Sequence, residues 1–269
     1  MNPPHDKTPD DATYARVRLL SRLDAIAASL ATRADALALL ALGSVGLDTE
    51  RIDAYSDLDF FVLVRPQAKV RYLADLAWLD AAHPVAWSFR NTPDGLKALM
   101  DDGVFCEFAV FEPAELPHIP FAPGRFVWRR DEVDPAWAHS VQPLPQPADP
   151  DWLVGEALSN LIVGLGRCAR GERLAAMRLV QVHALDRLLQ LLEQRAVRAD
   201  VSIDPFSIDR RIEQRRPELG RLLPVLAGGY ADTPAAALAV LGELEHHASV
   251  PSVVARHIRT LSQAIQATG

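Results

Sequence analysis

Two aspartates interrupt an apolar run in Ser56-Asp57-Leu58-Asp59-Phe60-Phe61-Val62-Leu63-Val64. On a strand, residues two apart face the same way. Asp57 and Asp59 are therefore expected side by side, with Leu58 and Phe60 turned into a core. Two carboxylates held together resist ionisation. A divalent cation removes that conflict, and Mg²⁺ takes one or two carboxylates together with phosphate oxygens and waters. Upstream, Gly43-Ser44 follows a short apolar run, 37–42. Glycine lets a backbone approach a phosphate closely, and Ser44 adds a hydroxyl and an N–H. A helical turn beginning there would add its dipole. A two-metal site wants a third acid on a neighbouring strand. Glu107, alone in the apolar stretch GVFCEFAVF (103–111), has the expected isolation.

Together these residues resemble the nucleotidyltransferase superfamily related to DNA polymerase β. Its pattern is Gly-Ser after a strand, an interval, an Asp-x-Asp flanked by hydrophobic residues, and a later strand acid. The resemblance spans residues 35–112. It implies that Gly43 and Ser44 bind the β- and γ-phosphates of an NTP, with ATP expected, and that Asp57 and Asp59 hold Mg²⁺. Glu107 would be the third metal ligand or the base for an acceptor hydroxyl. The implied cofactor is a pair of Mg²⁺ ions. The implied reaction moves a nucleoside monophosphate, expected to be AMP, to a hydroxyl of a small molecule and releases pyrophosphate. The motif Tyr55-Ser56-Asp57 and the helical second half are similar to the small antibiotic nucleotidyltransferases, including the aminoglycoside and lincosamide enzymes. Members of that layout recruit an acid from the helical half to take the acceptor's proton. Glu156 in WLVGEALSNLIVGL is the candidate here; the alternative is a plain helix-face carboxylate. One departure concerns the loop. Family members carry a small residue four places past the serine, whereas here Gly46 comes two places past it and Asp48 stands in the usual spot.

Elements must position these groups. Apolar residues at helical spacing predict a helix over 14–33, and strands are predicted at 37–42, 57–64, 84–89, 103–111 and 126–129, with a helix at 68–82. Residues 1–12 are polar and proline-rich and read as a disordered tail. Pro135, Pro143, Pro145, Pro147 and Pro150 mark 135–150 as a linker. Beyond it, 151–171, 172–194, 208–215, 219–226, 235–247 and 252–266 favour helix. The expected fold is an α/β nucleotidyltransferase-like core with a mixed sheet over 13–134, followed by an all-helical bundle over 151–269.

The chain has 269 residues, 49% hydrophobic and 23% charged, with a formal net charge of −7. That length serves two domains. The charge argues against a general nucleic-acid binder, and nucleic acid is not an expected partner. No apolar run is long enough to span a bilayer, and the polar N-terminus has no signal-peptide core, so a cytoplasmic protein without membrane contact is expected. Cys106 and Cys168 read as two buried thiols. The clusters Arg167, Arg170, Arg173 and Arg210, Arg211, Arg215, Arg216 read as solvated helix ends. The five tryptophans read as core or interface residues. The expected partners are a nucleotide and a small hydroxyl-bearing acceptor; a homodimer is left open. The rival reading is a catalytically inactive binding or regulatory protein of antitoxin type, supported by the altered glycine spacing and opposed by the retention of all three acids.

Overall fold

The structure is a computed structural model and describes residues 9–143, 145–195 and 206–268. The chain divides into two compact units, Met1–Leu144 and Pro145–Gly269.

The first unit is built on a six-stranded sheet in the order β3-β4-β5-β2-β1-β6. The strands are β1 (Ala36–Ala41), β2 (Leu58–Val64), β3 (Val85–Arg90), β4 (Gly95–Met100), β5 (Phe105–Phe111) and β6 (Arg125–Arg129). β2 and β5 run parallel; the other neighbours are antiparallel. Helices α1 (Pro9–Ala31), α2 (Lys69–Ala74) and α3 (Ala77–Asp80) belong to the same unit. α1 turns Leu19, Leu23, Ile26 and Leu30 to one side, and these share a core with Leu58, Phe60 and Val62 of β2, Ala98 of β4, and Cys106 and Phe108 of β5. Leu58 and Phe60 therefore face the core as expected. Phe61, Leu63 and Phe111 point to the opposite face, where Leu116, Val133 and Trp137 cover part of the sheet.

Several boundaries differ from the expectations. Residues 1–8 of the expected tail lie outside the described residues, and 9–12 form the start of α1. Strand β2 begins one residue after Asp57. The single helix expected over 68–82 is two short ones. Asp75 is extended between them, and its carboxylate accepts the N–H of Ala77 at 2.9 Å, which starts α3 afresh. Strand β4 is an addition, joined to β5 by a hairpin through Asp101-Asp102-Gly103, with Gly103 at φ +87°. The head of the proline-rich stretch is not a linker: Pro135–Ala138 is a 3₁₀ turn opened by the Asp134 carboxylate, and Ala138 is buried.

That hairpin carries its own charges. Asp102 pairs with Arg22 at 2.8 Å and Arg18 at 3.2 Å, both on α1. Burial works against its ionisation, but the Arg22 and Arg18 guanidinium groups and the Val104 N–H bring its pKa down to about 2. A folded pKa below the unfolded one gives stability that is present above the unfolded value and is lost as pH falls through about 2. Asp102→Asn should accordingly melt below wild type at pH 7. The deficit should shrink as the pH is taken from 4 to 2, read from melting temperature against pH.

The second unit is helical: α4 (Pro150–Ala169), α5 (Arg173–Arg178) continuing through a π turn (Leu179–Ala184) into α6 (Leu185–Arg195), then α7 (Ile212–Arg215), α8 (Pro217–Leu226), α9 (Thr233–His247) and α10 (Ser252–Thr268). Leu153, Ala157, Leu161 and Leu165 of α4 form one buried stripe against Val180, Leu188, Leu192, Val240 and Leu244. On the π turn, Gln181 donates to the carbonyl of Gly229 at 2.8 Å and accepts from its N–H at 2.8 Å.

The arginine clusters divide. Arg167 and Arg170 pair with Glu172 at the exposed end of α4, as a solvated helix end should. Arg215 does the opposite. Its side chain is 1% exposed and lies 3.4 Å from the Glu193 carboxylate, itself 8% exposed. Trp78 is buried, while Trp87 and Trp152 are about half exposed. Cys106 is buried and Cys168 only half-buried. Burial, together with the nearby Asp57, Asp102 and Asp59 charges, pushes the Cys106 thiol up to about 12 against the pull of Arg22. A thiol reagent at pH 8 should modify Cys168 in the folded protein and reach Cys106 only on unfolding. Peptide mapping of the labelled sites checks this.

Candidate active site

Register brings the acids together. In the parallel β2–β5 pair, Asp59 stands directly opposite Glu107. Directly opposed residues share a face with side chains about 5 Å apart. Their alternation partners Leu58, Phe60, Cys106 and Phe108 are all buried, so Asp59 and Glu107 look out on the other side. The carboxylates are half-buried and open to solvent. Asp57 comes immediately before β2, whose first residue pairs with Cys106. The same register carried one place back sets Asp57 beside Phe105.

The Gly-Ser turn closes over Asp59. The N–H of Leu42 donates to the Asp59 carbonyl at 2.8 Å. The chain then turns into a 3₁₀ helix, Gly43–Val45, with Gly43 at φ +54°. A Cβ at Gly43 would sit 2.6 Å from Asp59 Oδ2. Glycine is thus required twice, by the left-handed backbone and by the nearness of the carboxylate. The turn is braced from β6, where Arg125 donates to the carbonyls of Gly46 at 3.0 Å and Val45 at 3.2 Å. A Cβ at Gly46 would meet the backbone of Ala41 and Leu42 at 3.1 Å. Gly46 is therefore the small residue that the tight turn needs. Asp48 pairs with Arg51 at 2.7 Å in the next turn. The unusual loop has its own closure, and Ser44 beside it is half-buried.

Lys97 was not among the residues singled out from the sequence. It stands opposite Glu107 on β4, and its ammonium lies 3.0 Å from Glu107 Oε2. The signal was present: one charge inside GLKALM, the same isolation that marked Glu107. Arg125 had no comparable signal. Glu156 lies half-buried on α4 in the second unit, and is not one of the residues that the sheet gathers.

The donor set suits a hard cation. Asp57, Asp59 and Glu107 offer only oxygen, and Gly43 leaves the space beside Asp59 free of a side chain. The three are not drawn into one tight cluster, since Glu107 leans to Lys97. Among the described residues, the one trio with ligand atoms all within 4.8 Å of one another is His83, Asp101 and Asp102 at the β4–β5 hairpin. There Asp102 is already matched by two arginines and His83 pairs with Asp101 at 2.6 Å. That trio is a clasp joining the hairpin to α1 and to the turn before β3.

Three solved structures are similar to the chain at a distance. An aminoglycoside 6-adenyltransferase from Bacillus subtilis is similar at 12% identity and a TM-score of 0.38, covering 92% of this chain and 98% of that one. A nucleotidyltransferase-like protein from Exiguobacterium sibiricum is similar at 13% identity and a TM-score of 0.32, over 84% of this chain and 74% of that one. The STING-associated CdnE c-di-GMP synthase from Capnocytophaga granulosa is similar at 11% identity and a TM-score of 0.29, over 97% and 81%. No family model and no curated protein matches the chain. The chemistry is read from the chain's own side chains.

Proposed function

We propose that the first unit is a Mg²⁺-dependent nucleotidyltransferase centre, moving a nucleoside monophosphate from an NTP, with ATP the expected donor, to a hydroxyl of a small molecule. The observation that carries it is Asp59 opposite Glu107 across parallel strands, with Gly43 in the left-handed region against the Asp59 carboxylate. Asp57, Asp59 and Glu107 would hold the metal, which when bound supplies positive charge to the phosphoryl group and the leaving pyrophosphate. Ser44 and the turn's N–H groups would position the outer phosphates. The acceptor oxygen attacks the α-phosphorus, the bond to pyrophosphate breaks, and the hydroxyl proton passes to a carboxylate. Glu107 takes that role from within the sheet where Asp57 and Asp59 alone hold the metal. Lys97, 3.0 Å from Glu107 Oε2, would hold that carboxylate in place.

Isothermal calorimetry with ATP and Mg²⁺ tests the reading. Wild type should bind only with metal present, and Asp57→Asn should bind at least tenfold more weakly. Metal-independent binding, or equal affinity in the variant, refutes it. The rival reading, a binding module without turnover, predicts the same binding but no pyrophosphate with any acceptor.

A further inference from the structure

The sheet face that carries the acids continues into two exposed aromatic residues. Along one row, the pairings run Asp59 to Glu107 to Lys97 to Phe89, across β2, β5, β4 and β3. The adjacent row runs Phe105 to Leu99 to Trp87. The residues between these rows, Ala98 and Cys106, are buried in the core on the other side. Trp87 and Phe89 therefore share a face with Glu107. Their rings lie 5.1 Å apart, and they are 50% and 45% exposed. Edge strands are ordinarily protected by charge or proline, so exposed aromatics on the edge strand β3 need a reason. Core packing does not provide one.

The order of the strands says what would lie there. Gly43 and Ser44 follow β1, on one side of β2, and Glu107 is on β5, on the other. In a phosphoryl transfer the attacking and leaving oxygens are in line. With pyrophosphate leaving toward Gly43-Ser44, the hydroxyl must arrive from the Glu107 side. The body of the acceptor then extends over β4 and β3. Two strand spacings, about 10 Å, separate Glu107 from Phe89, which is the reach from a hydroxyl to a ring in a molecule of two linked rings. Lys97 stands in the path, its ammonium paired with Glu107 at 3.0 Å.

We propose that Trp87 and Phe89 form a stacking platform for the acceptor, and that the acceptor is a hydroxyl compound with a planar ring rather than a ringless or purely saccharide one. This rests on the nucleotidyl-transfer reading for its orientation, but the platform has its own readout. Salicin, an aryl glucoside, serves as the probe, with methyl glucoside and kanamycin as hydroxyl compounds that lack a planar ring. Saturation-transfer NMR on the full chain, with a non-hydrolysable ATP analogue and Mg²⁺, should show salicin bound through its aromatic protons. Trp87→Ala and Phe89→Ala should each weaken it about tenfold, and Trp87→Tyr should restore it. Both positions are exposed, so the variants should fold, as circular dichroism verifies. Absence of salicin binding, equal binding by the alanine variants, or displacement of salicin by kanamycin overturns the platform. ATP-Mg²⁺ affinity measured on the same samples separates the two ideas. Loss of ring binding with intact nucleotide binding supports the platform, and intact ring binding without any nucleotide binding leaves the platform standing while the transfer reading falls.

Discussion

Asp59→Asn is expected to lower nucleotidyl transfer on the order of 10³-fold or more while the protein keeps its fold, read as pyrophosphate release beside the melting temperature. The substitution preserves shape and removes one charge. Asp59 is the acid that sits between the Gly43 turn and Glu107, so in the proposed function both phosphate and metal would depend on its position. Its backbone carbonyl still accepts the Leu42 N–H, so the strand and the turn stay joined. Like charges opposite one another in a sheet are destabilising, so stability gives no reason to keep both acids. A fold-preserving variant with unchanged turnover would remove Asp59 from the chemistry. Gly43→Ala gives the complementary result. Its backbone at φ +54° costs an alanine about 1–2 kcal/mol, and the new methyl pushes the Asp59 carboxylate aside. Both stability and turnover should fall.

The largest stability loss is expected at Arg215→Ala, about 3–5 kcal/mol in urea denaturation. Arg215 donates to the carbonyls of Ile208 and Arg210 at 2.6 Å each and faces the Glu193 carboxylate at 3.4 Å. Removing it strands a buried anion and two carbonyls at once. The double variant Glu193→Leu/Arg215→Met separates these costs. It removes both charges, so it should recover much of the loss, but the two carbonyls remain unanswered and it should not reach wild type. A double variant as unstable as the single one would show that the ion pair is irrelevant and the carbonyls carry the effect.

These residues also mark what was legible in the sequence. Asp59 and Glu107 were legible because each is a lone charge in an apolar strand, a placement that burial alone would not favour. Strand β4 was overlooked because Gly95, Lys97 and Ala98 dilute its alternation, although Asp102-Gly103 before an apolar strand is a hairpin signal. With β4 went Lys97 and the sheet row leading to Phe89. Arg215 could not be told from its neighbours Arg210, Arg211 and Arg216, since a run of arginines looks alike whether or not one of them turns inward. Arg125 braces a loop about eighty positions away, and no local pattern records such a contact. The break at Asp75 depends on a single side-chain cap inside an otherwise helical stretch.

The parallel seam between β2 and β5 has a consequence for assembly. β1 and β2 are close in sequence, as are β3, β4 and β5, so each group forms from local pairings. The β2–β5 contact is the strand pairing that joins the groups, and it must bring together segments nearly fifty residues apart, so it forms later than the local pairings within each group. Asp57 and Asp59 lie on one side of that seam and Glu107 on the other. A chain caught before the seam closes would hold only half of the proposed cation site. Recovery of activity during refolding should therefore lag behind recovery of strand signal, and two fragments cut between α3 and β3 should be silent apart and active once they reassociate.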